Sequence, residues 1–254
     1  MSGRSAREPD ACAAPFRVRF DEAGPDGRLR TSVLLRYAQD LAWYHSAQRG
    51  FTRAWYAGRG LLWLARAAEV AVVAPMRVGD ELTGTTRVTG WRRVWARRRT
   101  EFADADGSLR GWTHVDWVLL DERGAPTRIP PEFDGTFGAP PATFQLGRVA
   151  LPAPPPEAEV ATFAVRPHEL DPMDHANNAV YADWLEERVI AVGAAEGVAA
   201  TRALPRIARL EYARAAESGA IVTSHTWRLA GSWACRLSDA AGNDLLRASL
   251  GPGV

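Results

Sequence analysis

Between residues 168 and 187 the chain reads His168-Glu169-Leu170-Asp171-Pro172-Met173-Asp174-His175-Ala176-Asn177-Asn178-Ala179-Val180-Tyr181-Ala182-Asp183-Trp184-Leu185-Glu186-Glu187. Carboxylates, an imidazole and two amides crowd a loop that runs into a stretch of helical periodicity. A carboxylate and an imidazole four residues apart can attack a carbonyl or deprotonate water. A helix beginning near Asn177 offers first-turn N–H groups and the positive end of a dipole to a developing oxyanion. Asp171 and His175 are the candidate acid–imidazole pair for that chemistry. Met173, Asp174, Asn177 and Asn178 surround a substrate held there. Plainer roles suit the same residues: Asp171 and Asp174 shape turns, and Asn177 and Asn178 cap helices.

The elements that must position this loop occur twice. Phe16-Arg17-Val18-Arg19-Phe20-Asp21-Glu22-Ala23-Gly24-Pro25 lies over Phe163-Ala164-Val165-Arg166-Pro167-His168-Glu169-Leu170-Asp171-Pro172 without a gap. The register continues, with Val33 on Val180, Tyr37 on Trp184 and Asp40 on Glu187. A duplication explains this agreement. The first copy has Gly24 where the second has Asp171, and Arg28 where it has His175, so only the second half is expected to carry a site of this type. Val33, Leu34, Tyr37, Ala38, Leu41 and Tyr44 recur at three and four residues and predict a helix, with Ser32 as its cap and Gly50 as its stop. The second helix is expected to end near Gly193 or Gly197. Strands are expected after each helix: Leu61–Ala74, Glu81–Val94, Trp95–Phe102 and Gly111–Leu120, then Ile207–Ala213, Ala220–Leu229, Ser232–Leu237 and Leu245–Leu250. Asp104–Gly107 and Ala240–Asn243 supply hairpin turns. A single helix per half needs a curved antiparallel sheet to bury its apolar face. The class is α+β, with two curved antiparallel sheets each wrapping one long helix.

Asp171-Pro172-x-x-His175-x-Asn177-Asn178-x-x-Tyr181-x-x-Trp184 resembles the helix-entry motif of acyl-ACP thioesterases. It is also similar to that of the wider 4-hydroxybenzoyl-CoA thioesterase group. Gly60–Arg66, Pro75–Asp80 and Glu211-Tyr212 add to the likeness, which spans roughly residues 16–130 and 160–250. The resemblance implies a tandem, or double, hotdog fold. It implies an N-terminal hotdog domain (15–124) that houses the acyl chain and a catalytic C-terminal one (159–254). It further implies hydrolysis of an acyl-ACP or acyl-CoA thioester to a free acid, with Asp171 in the family position of nucleophile or base, His175 its polar partner, and no metal and no cofactor. Two positions depart from the family pattern. Met173 stands where an asparagine is usual, and Ala215 and Ala216 stand where an acid and often a cysteine follow Glu-Tyr; Glu217 is the next acid along. A cleft altered in this way leaves two other reactions open, cyclisation or dehydration of a carrier-bound intermediate. Non-catalytic binding of an acyl carrier is a third reading.

Trp91-Arg92-Arg93-Val94-Trp95-Ala96-Arg97-Arg98-Arg99 is a local basic and aromatic stretch. Period two would put Arg93, Arg97 and Arg99 on one strand face, a candidate docking patch for an acidic carrier protein or a phosphopantetheine phosphate. The total of 31 basic against 30 acidic residues argues against nucleic acid as partner. All the basic residues are arginines. Seven of the ten tryptophans lie in the first half, as an apolar acyl pocket there would require. His45, His114, His168 and His225 have no metal-ligand spacing. Residues 1–14 are expected to be a disordered tail, and 125–158, which hold most of the prolines, an extended linker. Two cysteines, no membrane-spanning run and no apolar signal segment fit a cytoplasmic protein working in fatty-acid or polyketide synthesis. The pair of halves within one chain permits a monomer or a homodimer of double hotdog units.

Overall fold

A computed structural model describes residues 10–137 and 145–253. The first half begins with strand β1 (Ala11–Arg17), then helix α1 (Thr31–Gln48) and the short helix α2 (Arg53–Ala57). A meander follows: β2 (Leu62–Val72), β3 (Glu81–Arg92), β4 (Trp95–Ala103) and β5 (Leu109–Leu120). The second half repeats the plan with β6 (Glu159–Ala164), α3 (Val180–Arg202), β7 (Arg206–Tyr212), β8 (Ile221–Leu229), β9 (Ser232–Ser238) and β10 (Asp244–Pro252). α1 buries Val33, Leu34, Tyr37, Ala38 and Leu41, the apolar stripe visible in the sequence. Its N-cap is Arg30, not Ser32, which lies inside the first turn.

The strands form one antiparallel sheet in the order β1-β3-β4-β5-β2-β7-β10-β9-β8-β6. The two expected sheets are thus joined edge to edge by pairing of β2 with β7, where Ala67 faces Glu211 and Val72 faces Arg206. This join removes an open edge from each half. Helices α1 and α3 lie against their own halves of the sheet and touch each other. The main apolar core runs through both halves, from Val18 and Phe102 to Trp184 and Leu250.

The duplication is visible in atomic detail. Glu22 accepts from Tyr37 Oη, and Glu169 accepts from Trp184 Nε1 at 3.1 Å. Both acids also tie back the loop before the helix, Glu22 to Arg19 N at 2.9 Å and Glu169 to Arg166 N at 2.7 Å. Leu29 N donates to Met76 O, and Ala176 N to Ala216 O, each at 2.8 Å. Each helix entry is thereby clamped against the following β-loop.

Three expectations change. Residues 11–14, placed in the tail, belong to β1 and pair with β3, with Cys12 buried opposite Thr86; residues 1–9 lie outside the described part. Small residues hide this strand, and its Pro15 is tolerated because β1 is an edge. The segment 125–158 is more than a spacer. Phe133 and Phe137 bury themselves with Phe51 and Tyr56. Gly147 N donates to Asp116 (2.7 Å) and Val149 N to Glu211 (2.9 Å), so the segment binds both halves. Finally, α3 continues to Arg202 but is kinked at Ala194, where φ is 45°. The kink falls beside the expected stop at Gly193, where any Cβ would strike the Trp233 ring.

Candidate active site

The loop between β6 and α3 is shaped by its own backbone. Asp171 N donates to His175 O and Asp174 N to Asp171 O, both at 2.9 Å, closing a tight turn. Asp171 Oδ1 accepts from Met173 N at 2.8 Å. Its second oxygen meets no donor among the described residues. Asp174 takes the left-handed conformation (φ 61°) that the turn demands, and its side chain faces solvent. Asn177 Oδ1 accepts from Ala179 N at 2.9 Å, an i to i+2 turn just ahead of α3, whose N-cap Ala179 has no side-chain cap bond.

Asp171, Met173, His175 and Asn178 line one cavity of about 790 Å³. Asp174, Asn177 and Glu217 are not among its lining residues. Glu217 is exposed, and its backbone bridges to His175 while its side chain stays outside. His175 Nδ1 is buried with no hydrogen-bond partner among the described residues. The Asn178 N–H also meets no acceptor there, at the positive end of α3. Asn178 O accepts from Tyr212 Oη at 2.9 Å, which holds this peptide in place.

Two further side chains reach the cavity: Tyr181, which the quoted motif contains without a role assigned to it, and Gln39, which sequence reasoning missed. Tyr181 Oη accepts from Ala216 N at 2.9 Å and lines the cavity. Burial, with a contribution from the Asp171 charge, pushes this phenol up to about 12, so it keeps its proton as a donor. Gln39 comes from α1 of the other half, and its Oε1 is buried without a partner. Adding 147 residues, the step from Arg28 to His175, puts Gln39 on Glu186; the repeat was the signal for it.

Most of the wall comes from the first half. Trp43, Tyr56, Trp63, Trp91 and Trp117 line it, with Ile129, Phe133 and Phe137 from the Pro-rich segment. The basic stretch is not one strand face. A hairpin turns at Arg93, whose φ is 55°, so Trp91 and Arg97 belong to different strands. Arg93 is exposed. Arg97 forks onto Asp116 at 2.6 and 2.7 Å and donates to Gln145 O at 2.8 Å. Arg99 binds Glu101 at 2.6 Å and covers the Trp112 ring.

An antiparallel sheet wrapped on two buried helices, with an acid loop at one helix entry and an apolar cavity beyond it, defines a double hotdog protein of the thioesterase class. The sequence matches the acyl-ACP thioesterase N-terminal domain over residues 10–136 and the C-terminal domain over residues 153–244. The chain belongs to the acyl-ACP thioesterase family and is a thioester hydrolase. Among curated proteins none matches it in sequence. Its fold is shared by a protein described as an oleoyl thioesterase from Lactobacillus plantarum, 18% identical, with TM-score 0.81 and 96% of each chain covered. The 12:0-ACP thioesterase from Umbellularia californica is 22% identical, with TM-score 0.78, and the match covers 95% of this chain and 96% of that one. An acyl-ACP thioesterase from Bacteroides thetaiotaomicron is 15% identical, also with TM-score 0.78, over 94% of this chain and 96% of that one. No helix among the described residues is long and apolar enough to cross a membrane.

Proposed function

We propose that the chain releases a free carboxylic acid from an acyl-ACP thioester, with an acyl-CoA as a poorer mimic, and that Asp171 carries the chemistry. One observation supports this above all: Asp171, His175 and Asn178, whose N–H has no acceptor among the described residues, line the same cavity, which continues into the aromatic wall of the first half. The acyl chain lies along that wall and the thioester sits at the helix entry. Asp171 takes a proton from water, and the water oxygen attacks the carbonyl carbon. The Asn178 N–H, the dipole of α3 and the Tyr181 hydroxyl face the charge that grows on the carbonyl oxygen. Collapse breaks the C–S bond, and the carrier thiolate leaves with the proton that Asp171 had taken. His175 orients the water.

Met173 lines the cavity as a thioether and offers the water no strong bond; its neighbours Asp171 and His175 carry that task. Carrier docking falls to Arg93 at the hairpin tip, because Arg97 and Arg99 already hold acids of their own sheet. Both cysteines are free, which suits a reducing cytosol.

The test uses purified protein with a panel of acyl-ACP and acyl-CoA thioesters. Free thiol is measured, and the acyl product is weighed by mass spectrometry. Asp171→Ala is expected to cut kcat about 1,000-fold. Unchanged turnover in that variant removes Asp171 from the mechanism. A product that has lost water or stays on the carrier replaces hydrolysis with the cyclising or dehydrating reading.

A further inference from the structure

Three consecutive arginines on β4 meet different fates. Arg97 and Arg99 each bind a carboxylate, Asp116 and Glu101. Arg98 between them is 9% exposed and lines the cavity. Among the described residues no carboxylate lies within ion-pair distance of it. Its Nη1 donates to His45 Nδ1 at 2.9 Å, and its Nη2 stands 3.5 Å from Ser46 Oγ. Of five guanidinium donors, those two contacts use two.

The surroundings leave a positive charge over. Because Arg98 donates to Nδ1, His45 carries its own proton on Nε2, which donates to Asp10 at 2.9 Å. Burial, then the charge of Arg98, holds His45 below its ordinary range, so the ring is neutral. Asp10 is itself claimed by Arg49 through two bonds. Asp10 thus bonds one guanidinium and one neutral ring, and is linked to Arg98 only through His45. Tyr56 and Cys12 nearby stay protonated, since burial raises both. Burial lowers Arg98 only to about 10, so it remains a cation at neutral pH. An ion so enclosed, next to the face of Phe137, is held at a cost unless an anion or strong acceptor reaches it.

We propose that Arg98 forms a second recognition point in the cavity, for an oxygen-bearing group, a carboxylate by preference, on the far part of the acyl chain. This rests on the acyl-thioester reading above. His45 and Ser46 lie six and seven residues beyond Gln39 on α1, about 10 Å along the helix axis, and the Arg98 guanidinium bonds to that end of the helix. An acyl chain running inward from Asp171 therefore meets the guanidinium well past its first carbons. The substrate class is an acyl thioester with a polar far end.

The experiment compares CoA thioesters of one medium chain length that end in methyl, hydroxyl or carboxylate. The matching free mono- and dicarboxylic acids are titrated into the same protein by calorimetry. Wild type is expected to favour the carboxylate-ended substrate over the methyl-ended one by about ten-fold in kcat/KM, the size of one charge-assisted hydrogen bond. Arg98→Lys should keep the order with a smaller margin, and Arg98→Met should reverse it. Equal or better use of the methyl-ended substrate by wild type overturns the proposal, and so does a carboxylate preference that survives Arg98→Met. Should Arg98→Met fail to fold, the wild-type and Arg98→Lys orders decide. Preferred binding of the dicarboxylic acid with no turnover of any thioester would sink the hydrolase reading and leave the Arg98 site standing.

Discussion

The two helix entries are the same construction put to opposite uses. A step of 147 residues, from Arg28 to His175, relates the loops and helices; a step of 140, from Arg77 to Glu217, relates the loops they bridge to. These steps place Thr31 on Asn178, Glu186 on Gln39 and Arg206 on Arg66. At the first entry the three groups engage one another, although Arg206 Nε has no hydrogen-bond partner among the described residues. Arg206 Nη2 donates to Thr31 Oγ1 at 2.9 Å, and Thr31 donates to Glu186 at 2.5 Å. The Arg206–Glu186 ion pair closes the triangle at 3.8 Å, and Arg28 donates outward to Arg202 O at 3.2 Å. At the second entry no such triangle exists. Gln39 Oε1 is without a partner, Arg66 donates to Ala213 O at 2.7 Å, and Asn178 faces the cavity. Polar groups that bond one another fill the first entry, while at the second Gln39, Arg66 and Asn178 line a cavity.

The sharpest way to break this comparison is to open the sealed entry. Glu186→Ala leaves Arg206 buried without its acid and should cost about 3 kcal/mol of stability, lowering Tm by roughly 10 °C. Thioester turnover should hold once measured below the new Tm. Calorimetric unfolding checks the first part; an unchanged Tm would mean the triangle contributes nothing. A milder change touches the open entry. Gln39→Ala should lower kcat about ten-fold with Tm unmoved, because its carbonyl has no internal partner to lose. A Tm drop with unchanged kcat would make Gln39 a packing residue.

The smallest effect is on pH dependence. Burial, against the pull of Arg206, raises Glu186 above its ordinary value. The folded state then binds its proton more tightly than the unfolded chain does. Stability from this group is full below the ordinary carboxylate range and is lost as pH rises through the folded value. Denaturant titrations across that window should show a decline that Glu186→Gln flattens. A decline of equal slope in the variant would assign it to other groups.

Much of this was legible in the chain. The ungapped match around Phe16 and Phe163 located the duplication, and period three-and-four spacing located α1. Asp171 and His175 stood out because their counterparts, Gly24 and Arg28, lack their chemistry. Other features depended on contacts that no local pattern encodes. Pairing of β2 with β7 is a tertiary choice between two apolar edges. β1 was hidden by Ala11, Cys12, Ala13 and Ala14, small residues that pair well only because β3 is there to receive them. The basic stretch read as one face until a turn at Arg93 divided it. The proline runs read as a spacer, while Phe133 and Phe137 among them supply cavity wall. Glu217 was the nearest acid in sequence to the altered positions, but its backbone pairing with His175 points it away.

Joining the halves along β2 and β7 within one polypeptide has a consequence for how such a scaffold can change. In an assembly of two identical subunits every substitution arrives in duplicate, so a residue good for binding at one entry is imposed on the other. Here each entry is written once. The Thr31, Glu186 and Arg206 triangle can serve cohesion while Asn178, Gln39 and Arg66 line the cavity, and neither set constrains the other's composition.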